Sequence, residues 1–283
     1  MATNKEKYFY ARKLQNEYVN DSVIKELILS ANGFDNFSEL VMHFGDEMIN
    51  EDIFDNNLKR VLNGEPLQYV LGYSYFLNLK LKVDENVLIP RQESEQLVVF
   101  AKKCIDEFYP DIDFSLVDVC TGSGCIALAI KDAFKDRASV VATDISKDAL
   151  SIADLNKKTL GLNIDLLCGD MVEPLLEKGL KFDILISNPP YIRDESTIHE
   201  QVLKYEPRSA LIATPCTKHY ETIFRNVKNI MNEKFMLFFE IGEDMESELF
   251  HLIGDTLENV SFSFHNDIYG KRRFLWIIGE GNE

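Results

Sequence analysis

From Pro110 onward, short apolar runs alternate with segments whose apolar residues recur three and four apart. No other feature restricts the fold as much. The runs at 116–119, 139–143, 164–167, 182–186 and 235–241 read as buried strands, with Val, Ile, Leu or Phe on both faces. Between them lie amphipathic helices; Ile126, Ala127, Ile130 and Ala133 share one face of the first. Such alternation predicts a parallel sheet with right-handed crossovers. Two last runs, 260–264 and 274–278, are joined by a turn at 266–271 and predict an antiparallel pair. The expected class is α/β with a Rossmann-like sheet.

The chain ahead of this region has a different period. Residues 5–71 are patterned as helices throughout. Val23, Ile24, Leu27 and Ile28 form one stripe, with Asp21 or Ser22 as N-cap and Asn32-Gly33 as the stop. Leu40, Val41 and Phe44 follow a cap at Ser38, and Ile53, Phe54, Leu58, Val61 and Leu62 end at Asn63-Gly64. A helical bundle is expected over 1–72. A linking β-hairpin is expected over 73–90: Leu77, Leu79, Leu81 and Val83 alternate with polar residues, Asp84-Glu85-Asn86 turns, and Val87-Leu88-Ile89 returns. The α/β domain then occupies 91–283.

Charge bears on partners. The net charge is -17, and the densest basic cluster is Lys271-Arg272-Arg273. Such a chain repels a phosphate backbone, so no direct nucleic-acid partner is expected. The first 72 residues hold 7 Lys and Arg against 12 Asp and Glu, which suits a bundle that touches protein. Five cysteines form no Cys-x-x-Cys pair, and five histidines show no ligand spacing. Reduced thiols in a cytoplasmic protein, and no metal, are expected. The first ten residues lack the apolar core of a secretory signal, and no apolar run approaches the ~20 residues that cross a bilayer. No membrane contact is expected.

Two stretches carry chemistry. Cys120-Thr121-Gly122-Ser123-Gly124 joins a strand to a helix, where glycines let backbone approach a ligand. Asp144 follows 20 residues after Gly124, at the end of the next strand, where a carboxylate can accept both ribose hydroxyls. Together they point to an adenosine-containing cofactor; a glycine turn with a helix-capping Asp is the alternative from these residues alone. Asp170 reads equally as a group near adenine or as a turn residue. The second stretch, Ser187-Asn188-Pro189-Pro190-Tyr191, ends the fourth strand. Two prolines cannot extend a ladder and leave a stiff rim of free carbonyls. Asn188 adds a donor and an acceptor and Tyr191 a flat ring, a set suited to gripping a planar NH2 group. Methyl transfer fits this pair of sites better than hydride transfer, which usually brings a fuller glycine motif.

The chain resembles the HemK/PrmC family of peptide-chain release factor glutamine methyltransferases. The resemblance rests on Gly64-Glu65-Pro66-Leu67-Gln68-Tyr69, Gly72, Val87-Leu88-Ile89-Pro90-Arg91 with Glu93 and Glu95, Thr121 to Leu128, Asp144-Ile145-Ser146, Asn188-Pro189-Pro190-Tyr191-Ile192 and Tyr205-Glu206-Pro207. It implies a methyltransferase sheet that uses S-adenosylmethionine and yields S-adenosylhomocysteine. It implies as substrate the Gln of a Gly-Gly-Gln loop in translation release factors. Cys120, Thr121, Gly122, Ser123, Gly124, Asp144, Met171 and Asn188 would line the cofactor. The Asn188 oxygen and the Pro189 carbonyl would accept the two protons of the substrate amide, on a platform stiffened by Pro190, with Tyr191 packed on the flat amide. The N-terminal bundle would help to hold the release factor, and a monomer is expected.

Three positions depart from the family pattern. Cys120 replaces a usual Gly, Met171 a common aromatic, and Ala213-Thr214-Pro215 a glycine-rich segment. Alternatives at this stage are a ribosomal-protein glutamine methyltransferase, an amino-methyltransferase of a DNA or RNA base, and a cofactor-binding module without activity. Glu240-Ile241-Gly242 reads as a strand-end cap.

Overall fold

The computed structural model describes residues 2–279. The chain forms two compact units, residues up to Tyr73 with Glu200–Tyr205, and Ser74–His199 with the chain from Glu206 onward.

The first unit is helical: α1 (Asn4–Arg12), α2 (Asp21–Asn32), α3 (Phe37–Met42), α4 (Glu51–Leu62) and α5 (Leu67–Leu71). The expected stripe holds, with Ile24, Leu27 and Ile28 buried against Leu40, Phe54, Leu58 and Val61. The caps sit earlier than expected. Asn20 accepts from the backbone N–H groups of Ser22 and Val23, and Asn36 from that of Glu39. Gly33 ends α2 in the left-handed region. The unit also takes in a distant segment. Gln201 Nε2 donates to the Gly64 carbonyl at 2.9 Å, and the Tyr205 hydroxyl to that of Asn63 at 3.3 Å.

The second unit opens with a hairpin, β1 (Tyr73–Phe76) and β2 (Leu79–Lys82), shorter than the one expected over 73–90. The expected strand began at Leu77, but Leu77 is a turn residue with φ 51°, its N–H bound to Glu95 Oε1 at 2.6 Å. Residues 84–90 form no strand, because their N–H groups are committed elsewhere. Val87 donates back to Asp84, and Ile89 donates to the buried Glu206 carboxylate.

There follow α6 (Gln92–Phe108), β3 (Phe114–Val119), α7 (Cys125–Phe134), β4 (Ala138–Asp144), α8 (Lys147–Leu160), β5 (Asp165–Cys168), α9 (Glu173–Lys178) and β6 (Phe182–Ser187). With Glu200–Tyr205 counted as α10, the chain continues through α11 (Lys218–Ile230), β7 (Met231–Glu240), α12 (Glu246–Thr256), β8 (Val260–Asn266) and β9 (Arg272–Gly279). The seven-stranded sheet runs β5-β4-β3-β6-β7-β9-β8. Its first five members are parallel, and β9 and β8 are antiparallel as expected. Alternate residues bury on opposite faces. Leu116, Ile184, Ile186, Met236 and Phe238 join one core layer, and Val117, Val119, Leu185, Leu237 and Phe239 the other. Helices cover both faces, which explains the continuous apolar runs. The strand order reverses between β3 and β6, whose ends meet at Val119 and Ser187. A ligand crevice belongs at that switch point.

Candidate active site

The loop leaving β3 reaches the crevice in an unusual conformation. Cys120, Gly122 and Gly124 all have positive φ, at 64°, 55° and 83°. Two carboxylates hold it. Asp118 lies beneath, fully buried, its Oδ2 accepting from the Thr121 hydroxyl at 2.6 Å and the Ala127 N–H at 3.1 Å. Its Oδ1 has no partner among the described residues, and burial pushes the carboxyl up to about 7. Asp144, at the end of β4, accepts from the Gly122 N–H at 2.8 Å through Oδ2 and from the Ser146 N–H at 2.9 Å through Oδ1. Burial raises its pKa against those hydrogen bonds. Gly124 is packed from below, since a Cβ there would sit 3.2 Å from Ala153 and Leu128 side chains.

At the end of β6 the chain turns through Asn188 and two buried prolines. Asn188 Nδ2 donates to Ser94 Oγ at 3.0 Å. Ser94, in the first turn of α6, gives its own proton to Glu240 Oε2 at 2.6 Å. The other Glu240 oxygen accepts from the Tyr191 hydroxyl at 3.1 Å. Glu240 is therefore more than the strand-end cap read from sequence: it joins β7, α6 and the proline turn. Burial raises its carboxyl, with Glu93 adding to the rise and Ser94, Tyr191 and Arg273 opposing it. Burial likewise drives the Tyr191 phenol upward, so it stays a neutral donor.

These elements enclose a cavity of about 340 Å³, within the range that holds a nucleoside-sized ligand. Of the expected site residues, Cys120, Gly122, Asp144, Met171, Asn188 and Pro190 line it, as does Asp170. Thr121, Ser123 and Gly124 are buried under the loop instead, and Pro189 and Tyr191 lie outside the lining. The Cys120 sulfur meets that of Met171 at 3.5 Å. Val87 and Leu88 form part of the wall, as do Lys218 and His219, which sequence reading left aside. Burial lowers the His219 pKa, so its imidazole is neutral near pH 7. Ser94 and Glu240 were missed because each acts through a partner distant in sequence, and Asp118 because it reads as one more residue of a buried strand. The one available signal was an acidic residue at the end of a buried apolar strand, which needs a stated partner.

Residues 101–207 match the family model described as methyltransferase small domain. The release factor glutamine methyltransferase of Staphylococcus aureus is 34% identical over 84% of this chain and 85% of its own length. That of Bacillus subtilis is 34% identical over 81% of each chain. The chain belongs to the release factor glutamine methyltransferase family. Among solved structures, the 16S rRNA N2 G1207 methyltransferase of T. thermophilus, in complex with AdoMet and guanosine, has the same fold. It superposes with a TM-score of 0.52 at 12% identity, over 74% of this chain and 50% of that one.

Within this member of the family, two of the motifs that carried the resemblance meet at one carboxylate. Glu206 of Tyr205-Glu206-Pro207 accepts from the Ile89 N–H at 3.1 Å and pairs with the Arg91 guanidinium, both in the Leu-Ile-Pro-Arg run. The contact fastens the segment that supplies Val87 and Leu88 to the cavity wall. Among the described residues no cluster of His, Cys, Asp and Glu could hold a metal, and no helix is long and apolar enough to cross a membrane.

Proposed function

We infer that this protein methylates the side-chain amide nitrogen of the Gln in the Gly-Gly-Gln motif of peptide-chain release factors, using S-adenosylmethionine. The observation that carries the reading is that Gly122, Asp144 and Asn188 line one cavity at the strand-order reversal. Family membership gives the acceptor.

The cavity suits the cofactor. Asp144 accepts backbone N–H groups through both oxygens and retains lone-pair capacity for a ribose hydroxyl. Asp144 and Asp170 in the cavity lining favour a ligand with positive charge. S-Adenosylmethionine supplies an electrophilic methyl carbon on a sulfonium. The chain's own residues then act on the acceptor. An amide nitrogen is a weak nucleophile, so its placement must do most of the work. The Asn188 oxygen and the Pro189 carbonyl would accept the two amide protons and fix the orientation of the nitrogen. The same oxygens stabilise the positive charge that develops there. The surplus proton of an alkylated amide is strongly acidic and passes to solvent without a protein base. The reading includes a cytoplasmic monomer whose helical unit touches the release factor.

The test is mass spectrometry of the Gly-Gly-Gln peptide after incubation of a release factor with protein and cofactor. One added methyl on the Gln is expected. Asn188→Ala should lower kcat by about 10²–10³. Methyl on another residue, or full activity of the variant, would overturn it.

A further inference from the structure

Asn188 can act only if its amide faces the right way. Rotating the group by half a turn exchanges Oδ1 and Nδ2, and would present a donor to the substrate NH2 where an acceptor is needed. We propose that Ser94 and Glu240 form a directional hydrogen-bond relay that locks the Asn188 amide with its oxygen toward the acceptor, and that Glu240 sets Tyr191 at the same time. The proposal rests on the reading of Asn188 given above and adds two positioning residues to it.

The direction follows from counting protons. Glu240 offers two acceptor oxygens. Ser94 has a single hydroxyl proton, and at 2.6 Å it goes to Glu240 Oε2. Ser94 Oγ is then only an acceptor toward Asn188, so the atom 3.0 Å from it must be Nδ2. Asn188 Oδ1 is left on the other side of the group and takes no hydrogen bond among the described residues. The second Glu240 oxygen receives the Tyr191 proton and fixes that ring. Ser94 and Glu240 are both buried, at 3% and 2% exposure, so water cannot readily substitute for either. The members of the relay come from separate elements: α6, the end of β6 and the end of β7.

Such a relay explains why a buried carboxylate is kept beside the crevice with only partial compensation from Arg273. A neutral hydroxyl alone could point either way. An anionic acceptor behind it makes one orientation much the more favourable.

The experiment compares S94A, S94T, E240Q, N188A and the double variant S94A/N188A. Initial rates are measured on a release factor, and calorimetry gives S-adenosylhomocysteine affinity. S94A and E240Q should each lower kcat between about tenfold and a hundredfold, the cost of a misplaced contact, with KM and cofactor affinity within about twofold. S94T keeps the hydroxyl and should restore most of the lost turnover. Because Ser94 acts through Asn188, S94A should cost nothing further on the N188A background. A merely structural role for Ser94 would lower the rate in both backgrounds. Wild-type kcat in S94A and E240Q with N188A inactive would overturn the relay and leave the role of Asn188 standing. Wild-type kcat in N188A would remove that role and the relay with it. If S94A fails to fold, E240Q and S94T still decide.

Discussion

The sulfur of Cys120 lies 3.5 Å from the sulfur of Met171, and both residues have left-handed backbone, at φ 64° and 49°. Two departures from the family pattern are thus one contact. A non-glycine residue in this region carries strain on the order of 1 kcal/mol. Cys120→Gly should therefore raise the melting temperature and tighten S-adenosylhomocysteine binding severalfold by clearing the cavity floor. Calorimetry of Cys120→Gly, of Met171→Phe and of the pair checks this. Because the two side chains touch, their effects should depart from additivity by about 0.5 kcal/mol or more. Unchanged affinity in all three would show that the thiol does not crowd the ligand.

Asp144 is bound through both oxygens to backbone N–H groups, so it shapes the loop as well as facing the cavity. Asp144→Asn should weaken cofactor binding by about tenfold to a hundredfold, the range for a charge-assisted hydrogen bond. Its raised pKa adds a pH signature. Wild-type affinity should fall as pH drops into a window above the usual carboxylate range, because the bound state needs the anion. Asp144→Asn should lack that limb. Titration calorimetry across pH would show two parallel profiles if Asp144 did not bind the ligand.

Much of the sheet was legible because β3, β4, β6 and β7 are buried on both faces and leave unbroken apolar runs. The final antiparallel pair was legible from its short connection. Asn188, Gly122 and Asp144 were legible because each sits at a strand end, where local sequence alone fixes position. Ser94 and Glu240 were not. Their meaning depends on β7 lying beside β6 and on where α6 begins, facts absent from any local window. The hairpin is present, but its bounds were misplaced for a similar reason. Val87-Leu88-Ile89 has a strand-like composition, but the Ile89 N–H is claimed by Glu206, which lies 117 residues away in sequence. The resemblance implied cofactor contact for Thr121, Ser123 and Gly124 too, and all three are buried in the loop. The Thr121 hydroxyl donates to Asp118, the Ser123 carbonyl accepts from Asn156 of α8, and the Gly124 backbone packs on Ala153 and Leu128.

The Glu206 carboxylate is nearly fully buried and pairs with an Arg91 that is about one-third exposed. Removing the partner leaves an uncompensated charge in place, which costs up to about 3 kcal/mol once the exposure of Arg91 is allowed for. Arg91→Ala should thus be clearly less stable in urea unfolding than Glu206→Gln, which removes the charge itself. Both should weaken cofactor binding by loosening the Val87-Leu88 wall. Equal midpoints for the two variants would argue that solvent already screens Glu206.

Asp118 offers the sharpest test of stability against pH. Its folded-state value is about 7 against an ordinary 3.8, so the folded chain holds a proton that the unfolded chain has released between those limits. Stability from this group is present below about pH 4, is lost as pH rises toward 7, and is flat above. The span corresponds to a loss on the order of 4 kcal/mol. Asp118→Asn keeps an oxygen for Thr121 and Ala127 but cannot ionise. Its amide NH2 would take the place of the unpaired Oδ1, a fixed cost that does not vary with pH. The diagnostic is therefore the slope rather than the offset. The unfolding free energy of Asp118→Asn minus that of wild type should climb from pH 4 to pH 7 and then level. Denaturant melts at four or five pH values supply the comparison. Two curves that stay parallel across the window would mean that Asp118 is already ionised in the folded protein.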